Sequence, residues 1–142
     1  MRCEQVMKRE VEFVSGAQTV QSAAQRMRAA NVGFLPVCDP STRKVIGTIT
    51  DRDIAIRIVA DGHGAETKVA DCMTDDVISC GPAEDLVRAE QLMSWHQKSR
   101  IVVTDDKGIL VGVISLSDLA RHDSGRATDT LRRISGRESR AA

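Results

Sequence analysis

The chain contains two copies of one sequence unit, and this repeat limits its fold more than any other feature. Met7 matches Met73, and Val37 matches Val103 at the same offset. The match continues beyond the turn that follows, where the second copy is one residue shorter. A long match with a single gap is typical of tandem repeats. Because each copy is too short to bury a large apolar surface alone, we expect the two copies to pack on each other.

Each copy is predicted to run strand, helix, strand, strand, helix. The first helix carries apolar residues at helical spacing, from Val20 through Ala23 to Met27. The predicted strands cover residues 11–14, 34–38, 45–49, 77–80, 101–104 and 110–114, and the predicted helices begin near residues 20, 50, 86 and 115. Helices and strands mixed within each short repeat predict an α+β fold made of tandem βαββα units.

The repeat also divides the chain. The first copy covers residues 1–60, a Gly-rich linker covers residues 61–68, and the second copy covers residues 69–123. Residues 124–142 form a basic C-terminal tail with five arginines against one Asp and one Glu. We expect this tail to be largely mobile, with one or two helical turns near residues 130–134.

Composition excludes several classes of function. Lys and Arg number 20 and Asp and Glu also number 20, so no strong net charge favours nucleic acid. Aromatic residues make up only 2% of the chain, too few to form a surface on which bases stack. No stretch approaches the roughly 20 apolar residues of a membrane helix, and the first residues do not resemble a signal peptide. We therefore expect a cytoplasmic protein with neither nucleic acid nor membrane as a partner.

The cysteines leave two interpretations open. They do not form a C-x-x-C pair, so the simpler interpretation is reduced thiols, some of them buried. The alternative is a zinc site completed by histidines, although paired ligands at short spacing are missing. The residues concerned are Cys3, Cys38, Cys72, Cys80, His63, His96 and His122.

A hydroxyl and a carboxylate recur where a predicted strand enters a predicted helix. Thr50 precedes Asp53 by three residues, and Ser115 precedes Asp118 by three. This spacing is that of a capping box, which satisfies the first free N–H groups of a helix. The same groups can bind a nucleotide, because a hydroxyl can donate to phosphate and a carboxylate can accept both hydroxyls of a ribose. Both interpretations stay open, and they can coexist.

The strand and junction motifs together resemble the cystathionine-β-synthase (CBS) domain, here as a tandem pair or Bateman module. The first copy reads Phe-Leu-Pro-Val-Cys-Asp at residues 34–39 and Val-Ile-Gly-Thr-Ile-Thr-Asp-Arg-Asp at residues 45–53. The second reads Ile-Val-Val-Thr-Asp at residues 101–105 and Val-Gly-Val-Ile-Ser-Leu-Ser-Asp-Leu at residues 111–119. The resemblance implies two repeats packed about a pseudo-two-fold axis, with clefts between them that bind adenine nucleotides.

The resemblance also implies roles for individual residues. Each Asp of the two junctions is similar to a ribose-binding residue, and each Thr or Ser to a phosphate contact. Arg100 occupies a place where the γ subunits of AMP-activated kinase, which share the Ser-Leu-Ser-Asp of residues 115–118, put a phosphate-binding Arg. The first copy departs from this pattern, because Phe34 replaces that Arg and follows Gly33. The candidate ligand-binding residues are Thr50, Arg52, Asp53, Arg100, Ser115, Ser117, Asp118, Val11, Gly33, Phe34, Val77 and Ile78.

The sequence therefore predicts a regulatory module and not an enzyme, since no nucleophile or metal cluster is evident. The resemblance implies that the module binds AMP, ADP, ATP or a related adenosyl ligand, needs no certain cofactor, pairs as a homodimer and signals in trans to an unknown effector protein. The alternative is a ligand-free interaction scaffold or stress-response protein of the same family, with a redox-linked or zinc-linked cysteine site.

Overall fold

The described chain forms two compact units, and neither coincides with a sequence repeat. The computed structural model describes residues 1–141, with the side chains of residues 1–123 and 125–136. Unit 1 combines Met1–Val11 with the chain from Ile78 onward, and unit 2 is Glu12–Val77. Each unit thus holds the central elements of one repeat and the opening residues of the other. The fold is α+β, as the sequence predicted.

Unit 2 is built around a two-stranded antiparallel sheet. Its helix α1 spans Val20–Ala30, and its strands are β1 (Phe34–Cys38) and β2 (Val45–Thr50). A short α2 (Asp51–Asp53) continues as one π-helical segment, Ile54–Val59. The predicted strand at residues 11–14 is reduced to a single parallel bridge between Val14 and Val37, because only Val14 finds a backbone partner.

Unit 1 repeats this plan with a third strand. The sheet order is β3-β4-β5, where β3 is Ser79–Cys80, β4 is Arg100–Thr104 and β5 is Leu110–Ser115. β3 runs parallel to β4, and β4 runs antiparallel to β5. Helix α3 (Leu86–His96) follows β3, and α4 (Leu116–His122) follows β5. The predicted strand at residues 77–80 is shortened to the two residues that pair with β4.

The C-terminal tail differs from its expectation, because it forms one helix, α5 (Ser124–Ala141). Ala127, Thr130 and Ile134 are buried along one side of α5, and Ala127 and Ile134 join the apolar core of unit 1. The helix packs on α3 and α4. Because the buried side of α5 contains small and polar residues, the sequence shows no clear apolar stripe there. The side chains of Arg137 and Arg140 and the whole of Ala142 lie outside the described residues.

The opening residues of each repeat end beside a glycine. We call residues 3–8 the first lead-in and residues 69–74 the second lead-in. In unit 1, Lys8 pairs with Val113, and a Cβ added at Gly112 would lie 2.9 Å from the Lys8 carbonyl oxygen. In unit 2, Thr74 pairs with Thr48, and a Cβ at Gly47 would lie 2.9 Å from the Thr74 carbonyl oxygen. Glycine is required because each lead-in crosses its sheet at backbone distance.

Within the described part of the chain, no helix combines the length and apolar character needed to cross a membrane.

Candidate ligand-binding site

The junction between β5 and α4 brings a hydroxyl and a carboxylate into direct contact. Ser115 is the N-cap of α4, and its Oγ accepts a hydrogen bond from the Asp118 backbone N–H at 3.2 Å. Asp118 Oδ2 accepts from the Ser115 backbone N–H at 2.8 Å and from Ser115 Oγ at 2.9 Å. The capping-box interpretation is therefore confirmed here. The Asp118 side chain is only 3% exposed, so these bonds hold it in one orientation.

Arg121 completes the surroundings of this carboxylate. Its Nη1 lies 3.3 Å from Asp118 Oδ1, the oxygen that the capping box leaves unused. The Arg121 side chain is 64% exposed, so it can swing away with little loss of packing. Sequence reasoning did not single out Arg121. The signal was a basic residue one helical turn after the Asp, on the same face of α4.

Arg100 lies beside the same junction. It is the first residue of β4, and its Cα partner across the antiparallel ladder is Ser115. Side chains of directly opposite residues project from the same face of a sheet. Arg100 is exposed, and no carboxylate among the described residues pairs with it. The exposed Arg100 guanidinium therefore projects from the same face of the sheet as Ser115, and an unpaired guanidinium is a group that binds an anionic oxygen.

The corresponding junction in unit 2 has the same capping box but no cation at the position equivalent to Arg100. Thr50 Oγ1 accepts from the Asp53 N–H at 3.1 Å, and Asp53 Oδ2 accepts from the Thr50 N–H at 3.0 Å. Arg57 Nε lies 3.9 Å from Asp53 Oδ1, and this Arg was also missed from the sequence. The residue opposite Thr50 in the ladder is Phe34, which cannot attract an anion. Arg52 is exposed and remains the candidate cation on this side.

The twelve candidate residues divide equally between the two units. In unit 1 the structure brings Arg100, Ser115 and Asp118 together, while Ser117 is exposed and Ile78 packs against the apolar core. In unit 2 it brings Phe34, Thr50 and Asp53 together. Gly33 also lies at this junction, because its carbonyl oxygen accepts from the Asp51 N–H at 2.9 Å. Among the described residues, no hydrogen bond links the side chains of Val11, Arg52 and Val77 to either junction.

The cysteines are all buried and unpaired by disulfides. Burial raises the pKa of Cys38 to about 11, and burial followed by the nearby Asp53 charge raises the pKa of Cys72. Across the described residues, no group of three or more His, Cys, Asp or Glu side chains is placed to hold a metal ion.

Comparison with known proteins decides the family. The model of the CBS domain matches residues 3–60 and again residues 69–125. This chain belongs to the CBS-domain family. CBS domain-containing protein YhcV of Bacillus subtilis is 41% identical over 114 residues, which cover 80% of this chain and 79% of that protein.

Solved CBS structures share the fold. Hypoxic response protein 1 of Mycobacterium tuberculosis is 34% identical over 118 residues, covering 82% of this chain and 81% of that protein. The crystal structure of Hypoxic Response Protein I with two coordinated zinc ions superposes with a TM-score of 0.77 at 29% identity, over 86% of this chain and 98% of that one. The CBS domain pair of protein MJ0100 was solved in complex with 5′-methylthioadenosine and S-adenosyl-L-methionine. It superposes with a TM-score of 0.78 at 23% identity, over 89% of this chain and 98% of that one. The prediction of a tandem CBS pair is confirmed.

Proposed function

We propose that this CBS protein is a cytoplasmic regulatory module that binds an adenine nucleotide or a related adenosyl ligand and signals in trans to an effector protein. The observation that carries the proposal is the grouping of Arg100, Ser115 and Asp118 at one strand-to-helix junction. Asp118 would accept the two ribose hydroxyls, and Arg100 would contact phosphate. Ser115 would donate to phosphate only by giving up its bond to Asp118 Oδ2. The equivalent groups at Thr50 and Asp53 form a second, less charged candidate site.

The distribution of charge favours a mononucleotide at the unit 1 site. Arg100 supplies one unpaired positive charge, and Arg121 supplies another if a ribose displaces it from Asp118. These two positive charges match the charge of a monophosphate and leave much of the charge of a triphosphate uncompensated. We therefore expect AMP to bind more tightly than ATP. The MJ0100 pair binds adenosyl ligands, which are the ligand class proposed here. At 23% identity, its likeness to this chain shows a shared fold only.

One observation favours the ligand-free scaffold as a second candidate. The carboxylate of Asp118 is buried and already accepts bonds from Ser115 and Arg121, so capping alone accounts for its position. A ribose must therefore displace Arg121 to reach Oδ1. The buried carboxylate keeps its hydrogen bonds in this exchange, because the ribose hydroxyls replace Arg121 as donors and the exposed Arg121 returns to solvent.

Calorimetric titration of nucleotide-free protein separates these functions. We expect AMP to bind and 2′-deoxy-AMP to bind at least about tenfold more weakly, because Asp118 Oδ1 then loses one of its two hydroxyl donors. Mass spectrometry of small molecules released from freshly purified protein identifies any ligand carried from the cell. If AMP, ATP and S-adenosylmethionine all fail to bind at millimolar concentration and nothing is released, the scaffold is the better account.

We also propose that two copies pair through helices of unit 1. Trp95 on α3 is 80% exposed and Leu131 on α5 is 48% exposed, so large apolar side chains face outward from two neighbouring helices. Covering them with a second copy would remove this apolar surface from water. Sedimentation equilibrium should give a dimer that Trp95→Glu dissociates. A monomer at every concentration would contradict the pairing.

A further inference from the structure

Cys3 and Cys80 bring their sulfur atoms together inside unit 1. Cys80 Sγ lies 3.6 Å from Cys3 Sγ and donates a hydrogen bond to it. Cys3 belongs to the first lead-in and Cys80 to β3, so the contact joins chain segments that are distant in sequence. Both thiols are buried in the apolar core. Neither belongs to the candidate ligand-binding site.

The equivalent positions of the other repeat show which residues are sufficient to pack this part of the core. Val69 and Val14 occupy the corresponding positions of unit 2, and both are fully buried in its core. An aliphatic pair therefore fills the same place without sulfur. The two cysteines of unit 1 add a chemistry that packing does not demand.

We propose that Cys3 and Cys80 are a modification site, at which a hydroperoxide converts the two thiols into an intramolecular disulfide. The inference goes beyond nucleotide binding and does not depend on it. The sulfur atoms need to approach from 3.6 Å to a bond length of about 2.05 Å, a displacement that small side-chain rotations can supply. Within the described part of the chain, neither Cys38 nor Cys72 makes a hydrogen bond to another sulfur atom.

The chemistry balances with the hydroperoxide as the oxidant. The Cys3 thiol first gives up its proton, and the resulting thiolate attacks one peroxide oxygen. An S–O bond forms, the O–O bond breaks, and the leaving alkoxide or hydroxide takes up the proton that Cys3 released. The Cys80 sulfur then attacks the sulfur of the Cys3 sulfenic acid. The S–S bond forms, the S–O bond breaks, and hydroxide leaves as water with the Cys80 proton. Two thiols lose two electrons, and the peroxide gains them.

The environment divides the roles of attacking and resolving thiol between the two residues. The hydrogen bond that Cys80 donates lowers the pKa of Cys3, against the opposing effects of burial and of Glu84 and Asp85. The bond to Cys3, followed by burial, raises the pKa of Cys80, so this thiol keeps its proton until the second step. The thiolate is the nucleophile in such reactions, so Cys3 attacks first.

Access to the pair requires a small local opening. Cys3 lies in a single 3₁₀ turn, Cys3–Gln5, which is joined to the loop before α3 by the Cys3 N–H to Glu84 carbonyl bond and the Glu4 N–H to Pro82 carbonyl bond, both 2.9 Å. Further bonds join the Leu86 N–H to the Met1 carbonyl, Cys3 Sγ to the Asp85 carbonyl, and Lys8 to Val113. Local opening of this short segment breaks only these bonds, so it costs less free energy than unfolding the whole protein. A small peroxide can then reach Cys3 while the sheet stays intact.

The cross-link has a defined structural effect. It covalently joins the first lead-in to β3, and these belong to the two chain segments from which unit 1 is made. All of unit 2 lies between them in sequence, so the bond closes a long loop and removes conformational entropy from the unfolded chain. We expect the oxidised protein to melt several degrees above the reduced protein.

The experiment treats reduced protein with hydrogen peroxide and follows it by intact mass, by mapping of disulfide-linked peptides, and by thermal melting with and without reductant. Wild type should lose two hydrogen atoms, yield one peptide pair joining Cys3 to Cys80, and melt higher until reductant is added. The Cys80→Val variant, which copies Val14, should show none of these changes. The Cys72→Val control, which copies Val6 at the corresponding place in the first repeat, should behave as wild type.

Other outcomes overturn the proposal. These are a pair that includes Cys38 or Cys72, a link between two chains, or addition of oxygen atoms without a cross-link. No reaction of native wild type at a peroxide concentration that oxidises free dithiothreitol completely also overturns it. The peptide map and the melting shift are measured on wild type, so the decision stands even where a variant fails to fold.

Discussion

Arg100 and Ser115 lie directly opposite each other across the β4–β5 ladder, so a guanidinium and a hydroxyl share one face of the sheet beside the buried Asp118. The other repeat places Phe34 opposite Thr50 in the same register. The two junctions therefore share a cap and differ in charge. This difference inside one chain lets each junction serve as the control for the other.

Exchanging Arg100 and Phe34 should move the preference for a phosphate-bearing ligand from the unit 1 junction to the unit 2 junction. With Arg100→Phe, we expect AMP to bind about tenfold more weakly while adenosine binds unchanged, because the lost group contacts only phosphate. The difference between AMP and adenosine should also shrink with added salt in wild type. Calorimetric titration of both ligands measures the ratio.

The reciprocal change, Phe34→Arg, is the matched control and should strengthen AMP binding at the unit 2 junction. An equal loss of AMP and adenosine affinity in Arg100→Phe would show that Arg100 acts through the fold and not through a phosphate contact.

Gln97 ends helix α3 in a conformation that suits glycine. Its φ is 55° and its ψ is 47°, the left-handed region, and Asn31 holds the same angles at the end of α1. A Gln side chain is strained there, whereas Asn tolerates the region. We expect Gln97→Gly to raise the free energy of unfolding by about 0.5–1 kcal/mol, and Asn31→Gly to raise it less. Urea denaturation checks both.

The control for this change is a glycine inside the same helix. Ser94→Gly should lower stability by about 0.5–1 kcal/mol, because mid-helix glycine loses more entropy on folding. If Gln97→Gly destabilises the protein as Ser94→Gly does, the left-handed cap is not under strain.

Gly112 permits the first lead-in to cross the sheet of unit 1. In Gly112→Ala, the new methyl group would lie 2.9 Å from the Lys8 carbonyl oxygen, which is fixed by its bond from the Val113 N–H at 3.0 Å. Because this backbone must shift, we expect a loss of about 1–3 kcal/mol in the free energy of unfolding. Thermal or urea denaturation provides the measurement.

Gly125 in helix α5 supplies the comparison, since the nearest atom that a methyl group there would meet among the described residues is Asp123 Oδ1, at 3.4 Å. Gly125→Ala should be neutral or stabilising by up to about 1 kcal/mol. Equal effects of the two substitutions would mean that the close crossing at Gly112 is not what restricts that position.

Much of the fold could be predicted because its signals are local. The predicted strand at residues 34–38 matches β1, and the predicted helix from residue 20 matches α1, since their apolar spacing is regular. The strand at residues 11–14 was wrong in extent, because strand length depends on partners distant in the sequence. The lead-ins were missed for the same reason, since their pairing with the sheet of the other repeat leaves no periodic signal.

Helix α5 and the two arginines near the carboxylates illustrate what sequence patterns omit. The buried side of α5 includes Thr130, a polar residue that weakens the apolar stripe, and its burial depends on packing against α3 and α4. The caps at Thr50 and Ser115 were predictable because they depend on spacing alone. The pairing of Arg121 with Asp118 depends on which carboxylate oxygen the cap leaves open.

The role of Asp118 as the ribose ligand is the centre of this account. Asp118→Asn tests it better than Asp118→Ala, because the remaining amide oxygen can still accept the bond from the Ser115 N–H and keep the cap. The neutral amide can no longer accept from two ribose hydroxyls. Asp53→Asn makes the matched change at the other junction.

The deciding measurement is a calorimetric titration of AMP into wild type, Asp118→Asn and Asp53→Asn, each first shown to melt as a folded protein. We expect Asp118→Asn to lose at least about tenfold in affinity for AMP, and Asp53→Asn to lose much less at the unit 1 site. A folded Asp118→Asn protein that binds AMP as tightly as wild type would contradict this expectation.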